Sequence, residues 1–110
     1  MTAASEHEAL AALLRQATLQ APALTPPQLR QGAAARARGG PAIDAPYDSL
    51  AGEIGEASYR VTDTQVKAVL TAAGSEKAAF EVIAAAAVGA GLQRWDAGAR
   101  ALREAIDTTA

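Results

Sequence analysis

The sequence contains no cysteine. Disulfides, thiolate metal sites and every thiol-based reaction are therefore excluded. Histidine is nearly absent too: His7 is the only one, placed early in the first helix and expected at the surface. Its neighbours Glu6 and Glu8 cannot both point with it at one ion, so no metal site is expected. Aromatics are scarce, with Tyr47, Tyr59, Phe80 and Trp95 the full set. Neither sign of charge dominates. The net charge of -2 creates no field for a polyanion, and no nucleic-acid partner is expected. Arg30, Arg36 and Arg38 read only as a small basic patch near a helix C-terminus. The longest apolar run, Val82 to Leu92, covers 11 residues, against the roughly 20 of a membrane-spanning helix. The N-terminus lacks a basic segment followed by an apolar one, so no signal peptide is expected and a soluble, cytoplasmic protein is the default reading.

What the sequence has in quantity is alanine, more than a quarter of the chain. Alanine is the strongest helix former and β-branched residues are few, which points to an all-α fold. At 110 residues the chain has the size of one domain. The expected architecture is a compact bundle of about five helices, comprising an N-terminal helical hairpin over 6–38, a connector over 39–47 and a helical core over 48–107.

Local signals place the elements. Ser5-Glu6-His7-Glu8 has the form of a capping box, and Leu10, Leu13, Leu14 and Ala17 then recur at helical spacing to about residue 20. Thr25-Pro26-Pro27-Gln28 starts a second helix, with Leu24 and Leu29 placed as a staple, and Gly39-Gly40-Pro41 stops it near Arg38. A third helix from about Asp48 presents Leu50, Ile54 and Ala57. Thr62-Asp63-Thr64-Gln65 is another capping box, with Val61 and Val66 as its staple. The fourth helix presents Val66, Val69, Leu70 and Ala73, and Gly74 ends it. The last helix, about 76–107, carries a heptad-like stripe: Phe80, Ala84, Val88, Gly91, Trp95, Gly98, Leu102 and Ala105. This stripe is read as the central packing element and as the contact of a homo-oligomer. Trp95 fits either the core or a subunit boundary. Gly89-Ala90-Gly91 is no cofactor loop, because Arg94 occupies the third glycine position of G-x-G-x-x-G and no strand precedes it. The two glycines predict close helix packing, and no cofactor is expected.

From about Leu50 to Leu102, with VKAVLTAAGSEKAAFEVIAAAAVGAGLQRWDAGARAL at its centre, the chain resembles the alkyl hydroperoxidase D-like (AhpD-like) and carboxymuconolactone decarboxylase superfamily. The resemblance rests on Ala72-Ala73-Gly74, then Ser75-Glu76, then a long Ala/Gly-rich helix, and it covers about half the chain. It implies an all-α oligomeric fold. Redox members of that superfamily carry Glu-x-x-Cys-x-x-Cys-x-x-x-His. Here Glu56 matches the glutamate, Tyr59 and Thr62 stand where the cysteines would be, and Val66 stands for the histidine. With neither sulfur present, peroxide or disulfide chemistry is not available.

Two readings remain open. The first is a non-redox oligomeric binding or accessory protein, with a small carboxylate ligand or a partner enzyme as its further partner. The second is a carboxymuconolactone decarboxylase-like enzyme. In it Glu56 would act as acid or base on a small carboxylate or lactone, with Tyr59 and Arg60 orienting the substrate. Glu53 and Asp63 are further groups near the same helix junction. The bland alternatives are a solvent-facing Glu56, a space-filling Tyr59 and a capping Thr62.

Overall fold

The computed structural model describes residues 3–109, with side chains from 5 to 108. Its elements among those residues are all helical. Helix α1 spans Ala3–Arg15 and widens into a π-turn over Gln16–Gln20. Helix α2 spans Pro27–Ala37, α3 Tyr47–Ala57 followed by a 3-10 turn over Ser58–Arg60, α4 Asp63–Ala73, and α5 Glu76–Thr109.

The punctuation follows the local chemistry. Thr62 caps α4 through its side chain, accepting from the Gln65 backbone N–H, while the Gln65 side chain accepts from the Thr62 N–H at 2.9 Å. Gly74 closes α4 in the left-handed region at φ 90°, and Gly39 does the same after α2 at φ 88°. That conformation is strained for any residue with a Cβ. Ser75 Oγ then accepts from the Ala78 N–H and starts α5. Two starts differ from expectation. The first helix already includes Ala3, so Ser5 lies inside it. At α2 the cap falls on Pro26 and Pro27 takes the first helical position, one residue later than the expected Thr25 cap, and Leu24, the expected staple residue, is 61 % exposed.

The body of the molecule is α2, packed between α3 and α5. Its main core joins Ala33 and Ala37 of α2, Ala51 of α3, and Val82, Ala86 and Ala90 of α5, with Leu29, Ile43, Tyr47 and Ile54 around it. A second cluster joins Leu50, Val69 and Ala79, tying α4 to α3 and α5. Alanine methyls contribute only about 0.8 kcal/mol each on burial, so this core depends on backbones lying close together. A Cβ on Gly55 would lie 1.9 Å from the Ala37 carbonyl oxygen, and one on Gly89 would lie 2.7 Å from the Ala34 Cα. Those glycines set how closely α3 and α5 approach α2.

Close approach also corrects the expected packing face of α5. The face turned to α2 and α3 is the small one, with Ala79, Val82, Ala85, Ala86 and Ala90 buried. The stripe expected as the central packing element faces outward instead, with Phe80 67 %, Trp95 42 % and Leu102 62 % exposed. Bulky side chains on the inner face would hold the helices apart. The outer face then runs the full length of α5, including the part that projects past the body. The Cα radius of gyration is 15.6 Å, against about 13 Å for a compact chain of this length, and the extents are 54 × 28 × 21 Å.

Candidate functional site

The junction of α3 and α4 carries the residues singled out from the redox-motif spacing. Glu56, in the last turn of α3, is exposed and lines a cleft of about 300 Å³ with Arg36, Arg38, Gly52, Gly55 and Gln93. Tyr59 and Arg60 follow in the 3-10 turn, and neither lines that cleft. Tyr59 is 82 % exposed, with the Arg60 guanidinium 5.6 Å from its ring centroid, a cation–π pair at the surface. Thr62 serves as the α4 cap, Asp63 lies exposed in the first turn of α4, and Glu53 is half-buried on α3. The structure thus pairs Tyr59 with Arg60 and sets Glu56 toward a different group of arginines.

Those arginines do not form one basic patch. Arg36 Nε donates to Asp48 Oδ1 at 2.8 Å, and the Ile43 N–H donates to the same oxygen at 3.0 Å. The Ile43 N–H first, and then Arg36, hold the Asp48 carboxyl below its ordinary pKa. Arg30 is 1 % exposed, and its guanidinium donates to the backbone carbonyls of Thr18, at 2.7 Å, and Ala21. With Gln31 donating to the Leu19 carbonyl at 3.1 Å, it fastens the π-turn to α2. Arg38 alone is left exposed.

A further carboxylate does structural work at the other end of α2. Glu81, on α5, accepts from the N–H of Leu24 at 3.1 Å, and from both the N–H and the hydroxyl of Thr25 at 2.8 Å. The Thr25 N–H and hydroxyl, ahead of the Leu24 N–H and the nearby Arg30 charge, hold its pKa below the ordinary value. Charge-assisted bonds of this kind are among the stronger hydrogen bonds in proteins. They pin the loop before α2 onto α5.

A larger concave surface lies elsewhere. Helix α1 runs antiparallel to the outer part of α5, and between them opens a groove of about 540 Å³. Its walls include Leu10 and Leu14 from α1 and Val88, Gly91, Leu92 and Trp95 from α5. His7 meets Trp95 edge to face, with ring centroids 5.9 Å apart and planes at 84°. Further along, Gly98 and Leu102 continue the same surface, and Arg103 approaches Glu8 at 3.8 Å. The wall is apolar with one imidazole at its edge, which equips it for holding an apolar partner rather than for moving protons. Among the described residues no group of three or more acids and histidines is placed to hold a metal ion, and no helix is long and apolar enough to cross a membrane.

The sequence pattern located the α5 wall of this groove and read it both as the central packing element, which its exposure corrects, and as a subunit contact. The α1 wall carried one usable signal: Leu10, Leu13 and Leu14 form an apolar face on a helix with no glycine to bring a neighbour close. Compared with models of protein families, with curated proteins and with solved structures, the chain matches none.

Proposed function

We propose that this chain is a non-redox helical protein, a cysteine-free divergent relative of the AhpD-like superfamily, that works by assembly. Its working surface is the apolar face shared by α1 and α5, and its first partner is its own copy, in a binding or accessory role. One observation carries the reading: Phe80, Trp95 and Leu102 stand open to solvent along one face of a 34-residue helix. Leu10, Leu13 and Leu14, each at least 48 % exposed on α1, extend that apolar surface. Contiguous apolar patches beyond about 300–600 Å² are uncommon on monomers and mark association sites. The family resemblance rests on the sequence, on Ala72-Ala73-Gly74 followed by Ser75-Glu76 and a long Ala/Gly-rich stretch.

Light scattering combined with sedimentation at micromolar concentration tests the proposal. The expected mass is that of more than one subunit, falling on dilution. A clean monomer at every concentration would overturn it.

A further inference from the structure

The glycines of α5 divide into two kinds. Gly89 has the α2 backbone against it, so its missing side chain is explained within the subunit. Gly91 and Gly98 have nothing within 4 Å of the place a Cβ would take. A glycine inside a helix is less favourable than alanine by about 1 kcal/mol, and the subunit itself offers no compensation for these two. Both lie on the exposed apolar stripe.

The stripe has a second property, which is self-complementarity under reversal. In an antiparallel pair of helices with knobs-into-holes packing, the layers join unlike positions of the two chains. With the two-fold axis beside residue 93, Trp95 of one copy falls opposite Gly91 of the other. The same operation sets Val88 opposite Gly98, and Leu102 opposite Ala84. In these three pairs a larger side chain meets a smaller one, and the six central stripe positions, from Ala84 to Leu102, map onto one another; at the ends Phe80 falls opposite Ile106 and Ala105 opposite Glu81. Side chains that alternate in size across an interface in this way interdigitate without voids.

The exposed area fits a pair of copies. Leu10, Leu13, Leu14, Phe80, Trp95 and Leu102 are 42–67 % exposed. At roughly 100 Å² apiece they offer on the order of 600 Å², before the intervening alanines and glycines are added. A standard interface takes about 800 Å² from each partner. Leu10 and Leu14 border the groove over Gly91, so a second α5 laid on the stripe is flanked by α1. Two such α1–α5 pairs make a four-helix layer, an arrangement with short interaxial distances where small residues meet.

We infer that the occupant of the α1–α5 groove is a second copy of this chain, packed two-fold and antiparallel along α5 with Trp95 seated over the partner copy's Gly91. The inference rests on the assembly reading above and adds its geometry. Because the chain has no cysteine, introduced thiols report without background. Ala84→Cys and Leu102→Cys are made as separate variants of the full chain, then mixed and mildly oxidised. A disulfide needs Cα atoms about 4.4–6.8 Å apart. Positions 84 and 102 lie about 27 Å apart along one helix, which is also the separation of like positions in the antiparallel pair. The expected result is a covalent dimer in the mixture and none in either variant alone.

Cross-linking within each variant alone marks a parallel pairing and overturns the inference while leaving assembly intact. An assembled protein that does not cross-link in the mixture overturns it as well. A monomer at every concentration removes both this geometry and the assembly reading. As a second arm, Gly91→Leu is expected to weaken self-association at least tenfold while circular dichroism shows the same helix content. Unchanged association of a folded Gly91→Leu variant would overturn the seating of Trp95.

Discussion

Glu81 shows how one side chain can fix a loop that has no apolar reason to stay. Its carboxylate takes three donors from Leu24 and Thr25, and those donors favour the ionised form. The folded-state pKa lies below the ordinary carboxylate value, and Asp48 behaves alike through Ile43 and Arg36. The stability these groups add is fully present above their unfolded values. It is lost as pH falls below about 4 toward the lowered folded-state values. Melting followed by circular dichroism between pH 6 and pH 3 should show an acid-side loss. Glu81→Gln should lower the melting temperature at pH 6 and flatten that limb, because an amide cannot accept all three bonds. Glu56→Gln tests the junction of α3 and α4. It is expected to leave melting temperature and assembly unchanged. Loss of turnover of a small lactone or keto acid in that variant would favour the acid–base reading instead.

Among elements, α5 carries the most informative contrast. Gly89→Ala drives a methyl into the Ala34 backbone and should destabilise the subunit by about 2 kcal/mol or more. Gly98→Ala meets open space and should stabilise the dilute subunit by up to about 1 kcal/mol. Denaturant titration at low concentration separates the two. Thr62→Ala should cost about 1 kcal/mol through loss of the α4 cap. The caps at Thr62, Gly39 and Gly74 were legible in the sequence because capping is local chemistry, read within four residues. The inner face of α5 was not, since hydrophobic size pointed to Phe80, Trp95 and Leu102. Burial was decided instead by which face lets backbones touch. Arg30 was misread for a related reason. Its partners are carbonyl groups of Thr18 and Ala21, which a side-chain pattern does not display.

On the scale of the whole molecule, the clustering of chemistry is uneven. Polar groups that hold fixed geometry, such as Glu81, Arg30 and Asp48, tie loops to helices around α2. The junction bearing Glu56, Tyr59 and Arg60 stands open to solvent. The apolar surface is concentrated on α1 and the outer length of α5. Replacing Trp95 and Leu102 together by glutamate should therefore yield a folded monomer, with melting temperature independent of protein concentration, where the unmodified chain shows concentration dependence. The fold class was readable from alanine content and capping signals. The projecting shape was not, because nothing in a helix's own sequence says how much of its length the rest of the chain will cover.

Helix α5 is gripped by α2 and α3 through Val82, Ala86 and Ala90, while the stretch from Gln93 to Thr109 extends beyond that grip. It is mechanically a beam clamped at one end, with an arm of roughly 24 Å that α1 flanks along part of its length. A change of only 5° in the seating at Gly89 would swing the tip by about 2 Å, more than the tolerance of a close-packed helix contact. The few atoms between Gly89 and Ala34 therefore set the aim of everything the arm presents.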